Sequence, residues 1–183
     1  SKVYNGAEHE VSGFTGAPEG ADFSAITVGA KGTDEGVYPA NFKEGTVGTV
    51  DATKKYIVKE ANNGQLTITP VTAEVVVKIK GNNATYEYDA TEKSVTGYTV
   101  ESISNNLYKK ENFSLAENAK AEARGIDAGE YLMGLTALSF VNNSKNFVNV
   151  KFVVEDGKLT ITRRGSGDMK VTVTARDNKG TRS

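Results

Sequence analysis

The sequence predicts an all-β protein made of two tandem immunoglobulin-like β-sandwich modules, with β-grasp-like modules as the alternative architecture. Three observations support this fold class: an excess of strand-forming residues, an internal repeat, and alternation of apolar and polar side chains beside turn dipeptides. Valine and threonine supply 39 of the 183 residues, against two methionines, and β-branched residues favour strands. An apolar content of 38% is low for a single thick core, which favours two smaller units.

Composition and charge exclude several classes of protein. The 22 basic and 23 acidic residues give a net charge of −1, so no charge surplus would draw the chain to nucleic acid or anionic membranes. The absence of cysteine rules out disulfides, thiolate metal sites and cysteine nucleophiles. Apolar runs such as Val75–Val77 are far shorter than the ~20 residues that span a bilayer. We therefore expect a monomer without cofactors and without nucleic-acid or membrane partners.

Three sequence blocks recur in the same order, which indicates an internal repeat. The first block recurs after 84 residues and the other two after 93 residues, so the second copy carries an insertion between its first two blocks. A strand-like segment follows each copy. We predict two modules, residues 1–80 and 81–183, joined near Lys80–Asn82 or, less favoured, near Pro70; the second includes the start of a following linker or strand. The matching pairs are Tyr4–Phe14 with Tyr88–Tyr98, Ala30–Tyr38 with Ala123–Tyr131, Asn63–Thr69 with Asp156–Thr162, and Val75–Asn82 with Val171–Asn178.

Each copy ends in a pattern typical of a β-hairpin. In the second copy Val150–Val154 alternates, the Asp-Gly pair at Asp156 follows, and Leu159–Thr162 continues as a strand. Such a dipeptide between two alternating runs predicts that the two strands pair with each other. Asn63–Gly64 predicts the same hairpin in the first copy.

Helix is expected only as short turns. The small apolar residues of Ala116–Arg124 fit neither the helical nor the strand period, so a helical turn is the minority interpretation there. Leu107–Phe113 is the other place where a short turn fits. Neither changes the all-β class.

The pattern Asp-x-Gly-x-Tyr occurs twice, as Asp34–Tyr38 and Asp127–Tyr131. Here Asp can close a turn on its own backbone, Gly can take a positive φ, and the Tyr hydroxyl can bond back across the corner. This pattern resembles the tyrosine corner of immunoglobulin-like sandwiches, but Ala40 and Met133 replace the cysteine. A single carboxylate per loop is too few oxygens for calcium, so we expect no metal site.

No residues stand out as catalytic machinery. His9 is the one side chain suited to proton transfer near neutral pH, and its repeat partner is Lys93. The acid pairs that a glycosidase would need lie in turns or on exposed strand faces, and the repeat replaces most of them. We therefore predict no catalytic, cofactor-binding or metal-binding residues and no enzymatic activity. The pairs are Asp34/Glu35, Glu155/Asp156 and Glu8/Glu10.

Tyrosines offer the main candidates for a binding surface. Tyr86, Tyr88 and Tyr98 can line a groove for a sugar or a peptide, as tyrosines do in other recognition surfaces. The favoured alternative is core packing, because Tyr88 and Tyr98 align with Tyr4 and Phe14 as repeat framework.

Taken together, these motifs resemble the YDG/MBG-type β-repeats that occur in tandem in large surface proteins of bacteria, including Gram-positive ones. The resemblance implies an extracellular, cell-wall-attached stalk or adhesin module. Ala90 stands where that family usually has glycine, whereas the first copy keeps Asn5–Gly6. The sequence segments on which the resemblance rests are Val75–Ile79, Ala84–Ala90, Val95–Tyr98, Asp127–Tyr131 and Gly157–Thr162.

The expected function is that of a non-catalytic spacer in a bacterial adhesin, whose partners are the neighbouring repeats of the same chain. The alternative is a ligand-binding module that recognises host glycan or protein through an exposed face of the second module, whose insertion around Asn105–Glu122 makes it the better candidate. Because the chain begins abruptly at Ser1, we expect it to be part of a longer protein.

Overall fold

The computed structural model describes residues 1–165 and 172–175, and its fold is all-β, as predicted. Strands make up 43% of the described residues and helical turns 4%. The strands are β1 (Lys2–Val3), β2 (His9–Ser12), β3 (Gly29–Gly32), β4 (Gly36–Ala40), β5 (Gly64–Thr69), β6 (Val75–Gly81), β7 (Asn83–Glu87), β8 (Lys93–Thr96), β9 (Tyr98–Ile103), β10 (Phe113–Leu115), β11 (Glu122–Gly125), β12 (Gly129–Leu132), β13 (Phe140–Asn142), β14 (Val150–Glu155) and β15 (Lys158–Thr162).

Helix is confined to two 3-10 turns among the described residues. One spans Lys110–Asn112, inside the segment predicted to hold a short turn, and the other spans Ala137–Ser139. The stretch Ala116–Arg124 forms no helix and leads into β11. No helix in the described part of the chain is long and apolar enough to cross a membrane.

The same strand pairing occurs in the first half of the chain (β1–β5) and in the second half (β6–β15). In the first half β5 pairs with β1 in parallel and with β4 in antiparallel orientation, and β2 pairs with β3. In the second half β15 pairs with β7 in parallel and with β12 in antiparallel orientation, and β8 pairs with β11. Apart from β1 and β7, which immediately precede the first block of each copy, these strands lie largely within the repeated sequence blocks.

The second half has one further three-stranded sheet, centred on β6. This strand pairs in parallel with β14, from Val75 opposite Val150 to Lys80 opposite Glu155, and in antiparallel orientation with β9. The division into modules 1–80 and 81–183 stays a prediction. The pairing nevertheless joins Val75–Gly81 to strands of the second half, as a junction near Pro70 would require.

The predicted hairpins are wrong. β14 pairs with β6, whereas β15 pairs with β12 and β7, so the chain changes sheets at the Asp-Gly pair instead of folding back. The reason is the close approach of two chain segments. A Cβ on Gly157 would lie 2.6 Å from the carbonyl oxygen of Asn82, so the glycine makes room for backbone. In the first half, β5 pairs with β4 and β1, and residues 58–62 form no strand.

Two hydrophobic clusters lie in the second half. The larger surrounds β6, whose Val75, Val77 and Ile79 are at most 1% exposed, and includes Tyr108, which stacks on Phe113. Burial raises the pKa of Tyr108 to about 12. The other members are Phe140 and Phe147. The smaller cluster consists of Val95, Ala123, Leu159 and Ile161.

Candidate functional site

Both Asp-x-Gly-x-Tyr segments fold as predicted at the tyrosine. The hydroxyl of Tyr38 donates to the carbonyl oxygen of Asp34 at 2.9 Å, and that of Tyr131 donates to the carbonyl oxygen of Asp127 at 3.0 Å. The glycine inside each segment has a positive φ, 150° for Gly36. Each hydroxyl thus ties the beginning of a strand to the turn that precedes it.

In each half, the tyrosine ring packs against a second glycine. Gly32 ends β3 and Gly125 ends β11, and a Cβ on either would overlap the ring of Tyr38 or Tyr131, respectively. The sequence blocks contained both glycines at matching positions. Their role in ring packing was missed, because the ring and its glycine belong to different strands.

The turn around Asp89 keeps a left-handed residue although glycine is absent. Ala90 has a φ of +65°, close to the +78° of its counterpart Gly6. Asp89 fixes the turn, because its carboxylate accepts hydrogen bonds from the backbone N–H of Thr91 at 2.9 Å and from Nζ of Lys93 at 2.7 Å. The Lys93 ammonium group and the hydroxyl and backbone N–H of Thr91 hold the pKa of Asp89 below its usual range.

Asn146 joins the two halves of the chain. Its Oδ1 atom accepts the backbone N–H of Glu35 at 2.7 Å, and its Nδ2 atom donates to Oδ1 of Asp34 at 3.0 Å. The predicted acid pair Asp34/Glu35 therefore contributes to a contact between the halves. Its counterpart at the 93-residue offset is Thr53, so the repeat does not reveal this asparagine.

Phe147 continues this contact into the core. Its side chain is 2% exposed, and its ring meets that of Tyr4 edge to face at 5.6 Å. A β-bridge links Phe147 to Val71. An apolar side chain of the second half is thus covered by residues from the first half and from the linker before β6.

The acids around His9 form surface ion pairs. Nζ of Lys31 lies 3.5 Å from Glu10 and 3.9 Å from Glu8. His9 faces Gly32 across the β2–β3 pair. Its Nε2 atom is buried and has no hydrogen-bond partner among the described residues.

The remaining acid pair, Glu155/Asp156, holds adjacent chain segments. Asp156 accepts the backbone N–H of Gly134 at 3.0 Å and that of Leu135 at 2.9 Å, while Glu155 lies 3.6 Å from Nζ of Lys80. Five of the six carboxylates in the sequence-predicted pairs therefore serve loop contacts or ion pairs, and Glu35 contributes its backbone N–H. No group of three His, Cys, Asp or Glu side chains suited to a metal ion occurs in the part of the chain that the structure describes.

A buried carboxylate that the sequence did not reveal lies in the first half. Asp51 is 2% exposed, and its two oxygens accept the backbone N–H groups of Asp22, Thr53, Lys55 and Tyr56. Burial opposes its ionisation, but these N–H groups and the Thr53 hydroxyl outweigh that effect and hold the pKa of Asp51 below its usual range. The Asp-x-Thr pattern was the available signal.

The three candidate tyrosines do not form one groove. Tyr88 packs against the smaller cluster, and Tyr98 packs against Phe140 at 5.0 Å in the larger one, as the core interpretation predicts. Tyr86 is 41% exposed on β7, with Nζ of Lys93 5.7 Å from its ring centre. The insertion around Asn105–Glu122 also contributes side chains to the core, since Tyr108 is 1% and Phe113 is 5% exposed.

A cavity of about 550 Å³ opens in the first half. Residues 11–18 and 57–62 are among those that line it. Phe14 and Phe42 meet edge to face at 5.9 Å in its lining. The sequence does not predict this cavity, since the insertion makes the second copy the better binding candidate.

Comparisons with protein-family models, with curated protein sequences and with solved structures find no match to this chain.

Proposed function

We propose that this chain is a non-catalytic extracellular repeat region of a bacterial, cell-wall-attached surface protein, and that it acts as a stalk or spacer of an adhesin. One observation carries this proposal: both halves of the chain contain the same framework of paired strands, and a specific contact joins the two halves. A spacer needs similar units that hold a fixed orientation to their neighbours.

The contact at Asn146 and Phe147 supports such a fixed orientation. Two hydrogen bonds link the Asn146 side chain to Asp34 and Glu35 of the first half. Next to it, Phe147 is buried against Tyr4. Interfaces within a chain permit relative motion unless they are well packed. A contact that combines an aromatic pair with two directional hydrogen bonds limits rotation between the halves.

The acids further support a non-catalytic role. Asp34 and Asp156 accept hydrogen bonds from neighbouring segments, and Glu10 pairs with Lys31. A general acid or base must be free to reach a reacting proton. These carboxylates are engaged in holding the structure.

The spacer role is tested by small-angle X-ray scattering on one, two and three copies joined end to end. We expect the maximum dimension to grow by a constant increment per copy. Asn146→Ala should broaden the distance distribution, whereas Asn143→Ala, which removes a bond to Ser114 within the second half, should not. Compact clustering of the joined copies would contradict the proposal.

A binding role through the second half has one observation in its favour. The exposed ring of Tyr86 stands on β7, at the edge of the β12–β15–β7 sheet, beside the Lys93 ammonium group. Glycan arrays and host extracellular-matrix proteins test this alternative. Saturable binding that Tyr86→Ala abolishes would replace the spacer role by a recognition role, provided that Leu138→Ala, at a side chain that is 89% exposed, leaves the binding unchanged.

A further inference from the structure

Two segments of the second half run side by side in parallel over their whole length. They are residues 75–87, which contain β6 and β7, and residues 150–162, which contain β14 and β15. β6 pairs with β14 from Val75 opposite Val150, and β7 pairs with β15 up to Glu87 opposite Thr162. Every pair has the same offset of 75 residues along the chain. We call these two segments together the parallel ribbon.

The two segments stay in register where they pass from one sheet to another. β6 and β14 belong to one three-stranded sheet, and β7 and β15 belong to a different one. Both segments contain a glycine at the crossing, and a Cβ on Gly81 would overlap the backbone nitrogen of Gly157. Just after the crossing, the backbone N–H of Lys158 donates to Oδ1 of Asn83 at 2.8 Å. The ribbon is therefore one continuous connection, with six residue pairs before the crossing and five after it.

The chain enters and leaves the parallel ribbon at opposite ends. At the entry, the backbone N–H of Val75 donates to the carbonyl oxygen of Asn149 at 2.8 Å. At the exit, the carbonyl oxygen of Thr162 accepts the backbone N–H of Tyr88 at 2.9 Å. Because the two segments are parallel, the start of the first and the end of the second lie at opposite ends of the ribbon. Tension along the chain therefore pulls the two segments past each other.

This geometry opposes separation of the segments by tension. The hydrogen bonds of a parallel ladder are evenly spaced along the strands, so a force along the strands loads all of them together. Each segment is also held by a third strand, since β6 pairs with β9 and β15 pairs with β12. The side chains beside the ladders are buried, which hinders the exchange of single ladder bonds for bonds to water. Those exposed by 2% or less include Val77, Ile79, Leu159 and Ile161.

We propose that the parallel ribbon is the element of the second half that bears tension. Under a force along the chain, the second half stays folded until the two segments separate over their whole length in one step. The inference goes beyond the proposed spacer role, which concerns the distance and orientation of copies. Scattering from joined copies tests that role, whereas force on a single molecule tests this one, so the two proposals can fail separately.

Single-molecule force spectroscopy on the full chain tests the proposal by comparing two pulling directions. The chain has no cysteine, so a pair of introduced cysteines provides two unique attachment points. Glu74→Cys with Arg163→Cys loads the ribbon lengthwise. Glu87→Cys with Arg163→Cys places both attachment points at one end of the ribbon, so that force opens the pairs one after another. All three positions are exposed, and both double variants should match the parent in urea unfolding.

We expect lengthwise pulling to give one main rupture peak. Its force should be several-fold higher than that for pulling from one end at the same loading rate, because forced unfolding is governed by the unfolding rate constant. The peak should release roughly 250–280 Å of chain, which is the extended length between the attachment points less the length of the folded ribbon. Equal rupture forces in the two directions would overturn the proposal. Lengthwise extension through several small steps without a main peak would overturn it as well.

The variant Gly157→Ala tests the continuity of the ribbon at the crossing. Its Cβ would lie 2.6 Å from the carbonyl oxygen of Asn82, so the two segments must move apart between the two ladders. The lengthwise rupture force should fall, or its peak should divide into two. Pulling from one end is the internal control, since its rupture force depends on the pairs next to Thr162 and should change little. An equal loss of force in both directions would indicate a general loss of stability and would contradict the continuous ribbon.

Discussion

The packing of the Tyr131 ring against Gly125 gives the sharpest test of the fold. A Cβ at this position would lie 2.7 Å from Cδ2 of Tyr131 and closer still to Cε2 and Cζ. Carbon atoms in ordinary contact are about 3.5–4.0 Å apart, so Gly125→Ala must displace the ring by about 1 Å. The hydroxyl bond of Tyr131 to the carbonyl oxygen of Asp127 would be lost with that displacement.

The expected cost of Gly125→Ala follows from three contributions. Loss of the hydroxyl bond costs about 0.5–1.5 kcal/mol, and Tyr131→Phe measures that part alone. Partial exposure of the ring adds a share of the roughly 1.5–3 kcal/mol that a buried side chain of this size contributes. Alanine regains about 0.5–1 kcal/mol over glycine inside a strand. We therefore expect the free energy of unfolding to fall by about 0.5–2.5 kcal/mol.

A double-mutant cycle in urea separates ring contact from other effects. In a Tyr131→Ala background no ring remains to be displaced, so Gly125→Ala should stabilise the chain by about 0.5–1 kcal/mol. Gly64→Ala is the matched control, because its Cβ would meet nothing within 4 Å, and it should not destabilise. Equal destabilisation by Gly125→Ala in both backgrounds would refute the proposed packing of ring on glycine.

Three further predictions follow from particular residues. Ala90→Gly should raise the urea midpoint and stabilise the chain by about 0.5–1 kcal/mol, because relief of the left-handed φ outweighs the entropy of glycine; a lower midpoint would contradict the turn geometry. Asn146→Ala should cost about 1–3 kcal/mol by leaving a backbone N–H unsatisfied, while Asn143→Ala should stay within about 0.5 kcal/mol; equal losses would argue against a junction role for Asn146. Asp51 has a folded-state pKa below its unfolded value, so its contribution to stability is present above the unfolded pKa, about 3.9, and is lost as pH falls through the folded pKa. Urea unfolding at a series of acidic pH values should therefore show a smaller decline for Asp51→Asn than for the parent, and equal declines would contradict this role.

Local signals explain what the sequence could predict. The Asp-x-Gly-x-Tyr pattern needs only five consecutive residues to form its turn and hydroxyl bond, and both occurrences do so. The short turn at Lys110–Asn112 is local as well. The all-β class rests on composition and alternation, which do not depend on which strands pair.

Pairing between distant strands explains what the sequence could not predict. The Asp-Gly pair at Asp156 has the composition of a hairpin turn, yet β14 finds its partner in β6, about 75 residues earlier. Asp156 instead accepts N–H groups of Gly134 and Leu135. In the first half, Asn63 likewise accepts the backbone N–H of Phe42. The repeated Asx-Gly dipeptide therefore lies where its side chain binds the backbone of a distant chain segment.

The candidate site was also misplaced for a physical reason. The insertion makes the second copy the better binding candidate at the level of sequence, but Tyr108 and Phe113 within it pack around β6. A strand with three almost fully buried side chains needs apolar cover, and the insertion supplies part of it. The first half has the same five-strand framework and lacks this insertion. The difference in length between the copies is therefore a difference in the apolar cover around β6.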